Sequence, residues 1–306
     1  MFDIVVVGHF AIDLIIPLNE TKPRRRLGGP PTYVSLSAIK LGSSVSVISK
    51  VGGDFPEKYI LWLRRKSVDL SGLKINETSE TTSFLIKYYP SGWREMILKS
   101  RAPPIFIEDL PPSLETKAIH ISPIANEVST DLIKEACSIA PIVALDPQGL
   151  LRCFDSDGRM RLHKIDSLDF LRNVKVFKSS EREIKVLTGK DNVLEALGKV
   201  RYYGVDVAIA TMGERGAIIS YNNRIFSVPA AKPKAVLDPT GAGDAFIGAF
   251  LTEYIRGESP LWCACMGAAA SSFLIEKIGP RGFGGRREIY GRATEVYEKA
   301  LIMVNI

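Results

Sequence analysis

The stretch Asp238-Pro239-Thr240-Gly241-Ala242-Gly243-Asp244-Ala245-Phe246 decides how this chain is interpreted. Two glycines precede an acid, and an apolar segment with helical spacing follows at once, which predicts a helix over residues 245–256. The backbone N–H groups of Gly241, Ala242 and Gly243 are therefore expected at a helix N-terminus. The first N–H groups of a helix lack internal partners and carry partial positive charge, so they can receive a phosphate.

Asp244 directly follows this predicted phosphate site. A carboxylate there can remove a proton from a hydroxyl that attacks the phosphoryl group, so Asp244 is the candidate general base. The three preceding N–H groups are then a candidate anion hole for charge on the transferring group. The alternative is a structural acid that interacts with the helix dipole. Because an isolated Gly-x-Gly-Asp is a weak signal, the rest of the chain has to decide between the two interpretations.

The full nine-residue string resembles the C-terminal signature of the ribokinase/PfkB family of carbohydrate kinases. The resemblance covers nearly the whole chain. It implies a ribokinase-like three-layer α/β sandwich with a mainly parallel central sheet and a small β-sheet lid. It also implies ATP as the phosphoryl donor and Mg²⁺ as cofactor. A Gly-rich loop recognises phosphate rather than the length of the nucleotide's phosphate chain, so ADP stays open as the donor.

The amino-acid composition and net charge of the chain indicate which class of ligand to expect. The chain has 306 residues, 46% hydrophobic and 24% charged, which is ordinary for a globular protein. Its net charge is +6, but the basic residues are mostly scattered along the chain and no nucleic-acid-binding motif occurs. We therefore expect small anionic ligands rather than nucleic acid. No apolar run is long enough to span a membrane and no basic segment precedes the first strand, so we expect a cytoplasmic location. The four cysteines and three histidines lack metal-ligand spacing, and we predict no zinc site.

Short apolar strands alternate with helical segments, which predicts a parallel sheet covered by helices on both faces. The candidate strands are residues 4–7, 45–48, 118–121, 142–145, 174–177 and 207–210. The candidate helices are residues 32–41, 57–65, 130–139, 181–187, 193–203, 245–256, 261–275 and 287–301. A hairpin is predicted over residues 217–228, because Asn222-Asn223 tolerates the positive φ of a two-residue turn. No linker interrupts the series, so we predict a single domain over residues 1–306.

Two segments have strand character without a following helix, at about residues 12–26 and 81–100. Their pattern alone is compatible with an ordinary edge hairpin. The family resemblance instead implies a lid over the acceptor site, and closing such a lid would exclude water as a competing acceptor. An exposed lid edge can pair with a second copy, so a homodimer through the lid is also expected.

The N-terminal segment supplies the candidate acceptor-binding residues. Asp13 follows the first predicted strand, where an acid can accept hydrogen bonds from substrate hydroxyls, although a surface loop residue is the alternative. The family commonly uses an Asp at the matching position to hold the acceptor. Gly28-Gly29 resembles the family's N-terminal signature, whose backbone approaches the sugar. Tyr33 stands where many sugar-specific members have Asn, which puts ribose and fructose in doubt as substrates.

The segment Ser179-Ser180-Glu181-Arg182-Glu183 resembles the family's Asn-x-x-Glu pattern, with Ser180 in place of the Asn. In the family the matching acid helps to organise magnesium and its water shell. Because Mg²⁺ usually keeps several waters and binds few protein carboxylates, Glu183 alone is a reasonable magnesium residue. A capping acid in the first turn of a helix is the alternative.

Two further resemblances concern the donor and a monovalent cation. Residues 211–216 resemble the family's nucleotide-binding turn, which implies Thr211, Gly213 and Gly216 as cofactor-binding residues; otherwise the glycines only form a turn. Asp238 and Thr240 match family positions that often bind a monovalent cation such as K⁺.

Residues 146–154 read Asp-Pro-Gln-Gly-Leu-Leu-Arg-Cys-Phe, which resembles the Asp-x-Gln-x-Leu-x-Arg-x-Phe string of inositol-kinase-like members of the family. This implies Gln148 and Arg152 as acceptor contacts and myo-inositol as the expected acceptor. A strand end followed by a loop is the simpler interpretation. A nucleoside or 2-keto-3-deoxygluconate stays open as the acceptor. A non-catalytic sugar-binding homologue is the alternative from another class, although the intact Asp244 argues against it.

Overall fold

The computed structural model describes residues 1–16, 20, 22–89, 94–111 and 113–305. The strands are β1 (Phe2–Val7), β2 (Ala11–Ile16), β3 (Arg24–Gly28), β4 (Val45–Gly52), β5 (Val68–Asn76), β6 (Ser83–Tyr88), β7 (Arg94–Ser100), β8 (Thr116–Ile121), β9 (Ile142–Leu145), β10 (Arg152–Phe154), β11 (Met160–Leu162), β12 (Val176–Ser180), β13 (Val207–Thr211), β14 (Ala217–Tyr221), β15 (Arg224–Val228) and β16 (Leu301–Asn305). The α-helices are α1 (Pro30–Lys40), α2 (Glu57–Arg65), α3 (Thr130–Ile139), α4 (Gln148–Leu151), α5 (Glu181–Thr188), α6 (Val193–Tyr202), α7 (Ala242–Tyr254), α8 (Pro260–Leu274) and α9 (Arg286–Tyr297).

A large central sheet organises the molecule. Within the described residues it has ten strands in the order β16-β15-β14-β13-β12-β9-β8-β1-β4-β5. The strands from β5 to β13 run parallel, and β14 to β16 continue the sheet as antiparallel neighbours. The parallel strands are almost wholly apolar, as expected when helices cover both faces of a sheet. The three-layer α/β sandwich with a mainly parallel sheet is therefore confirmed.

Two apolar cores lie on the opposite faces of this sheet. On β1, Ile4 and Val6 face one core, whereas Val5 and Val7 face the other, as the alternation of strand side chains requires. The first core includes residues of α1, α2, α7, α8 and α9. The second includes residues of α3, α5 and α6.

Helix α7 is the interior helix of the first layer, and most of its residues are buried. A Cβ at Gly248 would meet the backbone oxygen of Val34 at 2.5 Å, so α1 lies directly against α7. The first turn of α7 is held from two sides. Ser37 of α1 donates a hydrogen bond to the backbone oxygen of Ala245 at 2.7 Å, and Ser271 of α8 donates one to that of Ala242 at 2.7 Å. The N-terminus of α7 is therefore fixed beside the carboxyl ends of the strands.

A second sheet, which we call the small sheet, consists of β2, β3, β6 and β7 in the order β3-β2-β6-β7. Strands β2 and β6 are parallel neighbours, and the outer strands pair antiparallel with them. The segments predicted to form a lid, 12–26 and 81–100, contain residues 17–19, 21 and 90–93, which lie outside the described residues. At the β7 edge of the small sheet, the backbone N–H of Leu98 donates a hydrogen bond to the backbone oxygen of Gly158 at 2.8 Å. Residues near 158 therefore cover part of this edge.

Most predicted elements are confirmed, including the 217–228 hairpin, where Asn222 and Asn223 have φ values of 48° and 54°. The helix predicted over 287–301 is too long. It ends at Tyr297, and the chain from Leu301 instead pairs with β15 as an edge strand. Strand β5 was not predicted, because its exposed second half lacks an apolar pattern. None of the helices in the described ranges is both long and apolar enough to cross a membrane.

Candidate active site

An open cleft of about 450 Å³ lies between the small sheet, the carboxyl ends of the central strands and the first turn of α7. Its polar lining residues are Asp13, Tyr33, Gln148, Arg152, Thr240 and Asp244. Its larger apolar lining residues are Phe84, Ile86, Met96 and Ile124. The polar residues come from four separate stretches of the chain, all of them singled out by the sequence, and meet around one cavity.

The first turn of α7 has the geometry expected of a phosphate site. Gly241 is the N-cap residue, with the left-handed φ of 78°. A Cβ at this position would meet the Tyr33 ring at 2.4 Å, so both the dihedral angle and the space require glycine. Among the described residues the N–H groups of Gly241 and Gly243 have no backbone acceptor, whereas that of Ala242 donates to Pro239 at 3.3 Å. Two of the three predicted donors therefore remain available to a ligand.

The acceptor-side residues also pack as the sequence suggests. Asp13 on β2 is buried, and a Cβ at Gly28 on β3 would lie 1.9 Å from its Oδ2 atom. The missing side chain of Gly28 thus makes room for the Asp13 carboxylate. Gly29 is the N-cap of α1 and lines the cleft. Because α1 starts with Pro30-Pro31 and has no side-chain cap, its N-terminus is set by these residues rather than by a capping hydrogen bond.

Gln148 and Arg152 form one unit at the cleft wall. Arg152 donates to the Gln148 side-chain oxygen at 2.6 Å and to the backbone oxygen of Ile124 at 3.1 Å. Gln148 in turn donates to Ser122 at 3.3 Å. Arg152 is buried, whereas Gln148 is half-buried, so the amide and the guanidinium present a fixed polar surface to the cleft.

Tyr33 lies beneath the cleft and is completely buried. Its hydroxyl has no hydrogen-bond partner among the described residues. Burial and the charges of Asp13, Asp238 and Asp244 raise the pKa of this phenol well above its ordinary value, so the hydroxyl stays protonated. The residue that departs from the sugar-kinase pattern therefore supplies the packing surface for Gly241.

The predicted donor-side residues lie outside the cleft, at the carboxyl ends of β12 and β13. Ser180 and Thr211 are paired neighbours in these strands. Ser180 caps α5, and Glu183 closes the capping box by accepting from the Ser180 backbone N–H at 2.9 Å; its carboxylate also accepts from the Ser180 hydroxyl at 2.6 Å. Burial raises the pKa of Glu183, but the charges of Arg152 and Lys178 and the Ser180 hydrogen bonds outweigh it, so the pKa lies below its ordinary value. The predicted magnesium residue is thus an ionised carboxylate that also caps a helix.

Gly213 and Gly216 bracket a short turn between β13 and β14, where Gly216 donates to the Gly213 oxygen at 3.0 Å. Asp238 joins the α7 loop to a second loop, because it accepts from the N–H of Thr240 at 3.0 Å and from that of Gly279 at 2.9 Å. The Thr240 hydroxyl shares a hydrogen bond of 2.7 Å with the hydroxyl of Tyr88 on the small sheet. In the described part of the chain, no group of three or more acidic, histidine or cysteine side chains forms a metal cage.

One buried charged pair lies next to the cleft residues, and the sequence analysis did not identify it: Asp146 opens the string at residues 146–154, but its partner Lys178 was not singled out. Lys178 on β12 donates to Asp146, which follows β9, with 2.5 Å between Nζ and Oδ2. Both side chains are buried, with 6% and 1% of their surface exposed. The signal was a charged residue at the end of each of two apolar strands. It could be used only once β9 and β12 were known to be neighbours.

Comparison with known proteins places this geometry in context. The family model described as pfkB family carbohydrate kinase matches residues 1–283. A cytidine kinase of Thermococcus kodakarensis is 30% identical over 291 residues, which is 91% of this chain and 98% of the relative. An inositol 3-kinase of Arabidopsis thaliana is 27% identical over 290 residues, which is 92% of this chain and 76% of the relative.

Solved structures share the fold. A pyrophosphate-dependent kinase in the ribokinase family, complexed with a pyrophosphate analogue and myo-inositol, has a TM-score of 0.79 at 23% identity and covers 94% of this chain and 99% of its own. An E. coli protein solved with ATP and Mg²⁺ has a TM-score of 0.77 at 21% identity and covers 96% of this chain and 100% of its own. At these identities the likeness establishes the ribokinase-like architecture.

Proposed function

This chain belongs to the pfkB family of carbohydrate kinases, and we propose that it transfers a phosphoryl group from ATP to a hydroxyl of a small acceptor, with Asp244 as the general base. One observation carries the assignment. Asp244 and Gly241 border the same cleft as Asp13, so a base, a phosphate-binding turn and an acceptor-holding acid converge on one cavity.

The chemistry follows from this arrangement. The Asp13 carboxylate accepts hydrogen bonds from acceptor hydroxyls and orients the ring. Asp244 takes the proton of the attacking hydroxyl as the bond from its oxygen to the γ-phosphorus forms, while the bond between that phosphorus and the bridging oxygen of ATP breaks and ADP leaves. The N–H groups of Gly241 and Gly243 donate to the oxygens of the transferring group, where negative charge must be stabilised. The preorganised first turn of α7, anchored by Ser37 and Ser271, keeps these donors in place without further rearrangement.

Magnesium fits the donor side. Glu183 is kept ionised by Arg152, Lys178 and Ser180, and one carboxylate is enough for an ion that retains most of its water. Bound with the donor, Mg²⁺ would be held through water by Glu183 and would neutralise phosphate charge. Ser180, Thr211, Gly213 and Gly216 would border the nucleotide.

The acceptor that the cleft favours is a nucleoside. Phe84, Ile86 and Met96 of the small sheet line the cleft together with its polar residues. A nucleoside has a hydroxylated sugar and a flat base with apolar faces, so it matches a cleft that offers both polar and apolar lining. The higher identity to the cytidine kinase supports the same choice.

Myo-inositol is the second candidate, and one observation favours it. Gln148 and Arg152, the residues that resemble inositol-kinase-like members, line the cleft as a hydrogen-bonded pair. Such a pair suits a ligand with hydroxyls on every carbon. The expectation that myo-inositol is the acceptor is not confirmed by the similarity to known proteins, where the cytidine kinase is more similar than the inositol 3-kinase.

The test is a matrix of donors and acceptors. Phosphoryl transfer is measured with ATP, ADP or pyrophosphate against cytidine, other nucleosides, myo-inositol and 2-keto-3-deoxygluconate, all with Mg²⁺. We expect the highest kcat/KM with ATP and a nucleoside. Preference for myo-inositol would replace the acceptor assignment, and absence of transfer with every combination would contradict the proposed function.

Three further assignments belong to this proposal. Asp238 and Thr240 would hold a monovalent cation, which a comparison of rates in K⁺ and in a bulky organic cation tests. The small sheet would act as a lid, which hydrogen exchange of β6 with and without acceptor tests. The homodimer through the lid stays a prediction: within the described residues β3 is an edge strand of the small sheet, to which a second copy would pair, and light scattering measures the mass.

A further inference from the structure

Lys178 lies where the acceptor and donor halves of the site meet. Strand β12 has β9, with Asp146 at its end, on one side and β13, with Thr211, on the other. The parallel register aligns Leu145 with Phe177, so the next residues, Asp146 and Lys178, are neighbours at the carboxyl ends of their strands. Ligands in such sheets collect at these ends, particularly where the connections reverse direction.

The Lys178 side chain reaches the first turn of α7. A Cβ at Gly243 would lie 2.6 Å from Nζ of Lys178 and 3.4 Å from Cε. The ammonium therefore packs against the backbone of a residue whose own N–H group is a candidate phosphate donor. Asp244 is the next residue along the chain, and Lys178 interacts electrostatically with it.

The ammonium is charged despite its burial. Burial lowers the pKa of Lys178, but the charges of Asp146, Asp244 and Glu183 outweigh it and leave the pKa above its ordinary value. The negative charges of Asp146, Asp244 and Glu183 therefore all act on this one ammonium. A phosphoryl group on the first turn of α7 would lie beside Asp244, and like charge repels it unless a cation offsets this acid.

Lys178 also has unused donors. An ammonium has three N–H bonds, and among the described residues only Asp146 accepts a hydrogen bond from it. Asp146 gives this ammonium the one partner that buried polar groups almost always have, and its two remaining N–H bonds can donate to a bound ligand. An anion seated on the first turn of α7 would be such a ligand.

We propose that Lys178 is a further catalytic residue, whose ammonium donates to a non-bridging oxygen of the transferring phosphoryl group while Asp146 holds it in position. This inference rests on the proposed function for its reaction, but it also makes a claim about binding of phosphate alone. Lys178 makes and breaks no covalent bond. It stabilises the negative charge on the phosphoryl oxygens while the phosphoryl group passes from the donor to the acceptor.

A purely structural role has to be separated from this one. If Lys178 only forms the buried ion pair with Asp146, removing both charges together leaves neither member of that pair without its partner and should restore function along with stability. The test variant is therefore Lys178→Met combined with Asp146→Asn. The matched control is Lys175→Met with Asp206→Asn, an exposed pair at the start of the same strand with 3.0 Å between its charged atoms.

Two measurements are made on each protein: kcat and acceptor KM with the best substrates, and calorimetric affinity for Mg²⁺-ATP and Mg²⁺-pyrophosphate. For the Lys178 double variant we expect a melting temperature near that of the parent, kcat lower by about 10²-fold and an almost unchanged acceptor KM. We expect affinity for at least one probe to fall by about tenfold or more, because a charge-assisted hydrogen bond is lost. The Lys175 double variant should match the parent, and the probe that responds identifies the source of the phosphoryl group.

A folded Lys178 double variant with parental kcat and parental affinity for both probes would overturn the proposal. So would a parent protein that binds neither probe. If the parent binds a probe but transfers phosphate to no acceptor, the proposed function fails, and the affinity of the double variant alone decides the role of Lys178.

Discussion

The first turn of α7 and the Asp146–Lys178 pair bring charge to the same point of the molecule by different routes. In α7 the candidate phosphate donors and the proposed base are consecutive, from Gly241 to Asp244. In the pair, two charged residues that are 32 positions apart meet because β9 and β12 are aligned neighbours. The two groups are in contact, since Nζ of Lys178 lies against Gly243.

This difference determines which parts of a functional site can be identified from the sequence alone. A contiguous turn carries its geometry in its own residue types, since glycine permits the αL cap and an acid suits the first helical turn. A strand-end pair carries no local pattern, because its meaning depends on which strands become neighbours. If the account is right, the two groups should fail differently when they are altered.

Asp244→Asn should produce the largest effect. Loss of the base should lower kcat by about 10³-fold, since positioned general bases typically contribute 10²–10⁴-fold. Ligand binding should persist, and steady-state kinetics with calorimetry measure both. Asp131→Asn, an exposed acid in the first turn of α3, is the control and should change nothing. A kcat within tenfold of the parent would mean that Asp244 is only a helix-terminal acid.

Gly241→Ala should disturb the first turn of α7, because the substitution changes a position with a left-handed backbone. The αL dihedral and the overlap with Tyr33 together should lower the free energy of unfolding by about 3 kcal/mol. Gly291→Ala, at an exposed position in α9 with open space around it, should instead raise it by about 0.5–1 kcal/mol. Chemical denaturation measures both, and equal shifts would contradict the packing described for the α7 turn.

The third prediction concerns the pKa of the buried His120 and its effect on the pH dependence of stability. Burial and the charge of Lys178 lower its pKa from 6.5 to about 3, so the folded chain keeps it neutral. Below pH 6.5 the His120 ring binds a proton in the unfolded chain but not in the folded chain. The free energy of unfolding therefore decreases as the pH is lowered. Between pH 6.5 and 5 the loss attributable to His120 should be about 2 kcal/mol.

The measurement for His120 is denaturation at several pH values beside His120→Gln. The variant should lose this part of the pH dependence, whatever its stability at neutral pH. Parallel pH curves for the two proteins would show that His120 is protonated in the folded state.

Tyr88→Phe should have the smallest effect. It removes the hydroxyl that bonds Thr240 and so loosens the link between the small sheet and the α7 loop. One hydrogen bond is worth about 1 kcal/mol, so acceptor KM should rise about threefold to tenfold. Tyr202→Phe, at an exposed tyrosine, serves as the control in the same kinetic assay. A drop in kcat comparable to that of Asp244→Asn would place Tyr88 in the chemistry itself.

Much of the fold could be predicted from the sequence, because apolar strands and amphipathic helices alternate with clear breaks. The polar residues of the cleft were also singled out, since Asp13, Gly241 and Asp244 belong to short stretches with their own signals, whereas apolar lining residues such as Met96 and Ile124 were not. Strand β16 was missed because pairing with β15, rather than local preference, makes it a strand. The packing of Tyr33 under Gly241 joins positions far apart in sequence, so no single stretch could have revealed it.

The most direct test of the central claim is a crystal structure of the protein with Mg²⁺, a non-hydrolysable ATP analogue and cytidine. We expect a terminal phosphate that accepts hydrogen bonds from the N–H groups of Gly241 and Gly243 and from Lys178, with an acceptor hydroxyl beside Asp244. A terminal phosphate bound away from the first turn of α7, with Lys178 still bonded to Asp146 alone, would contradict it.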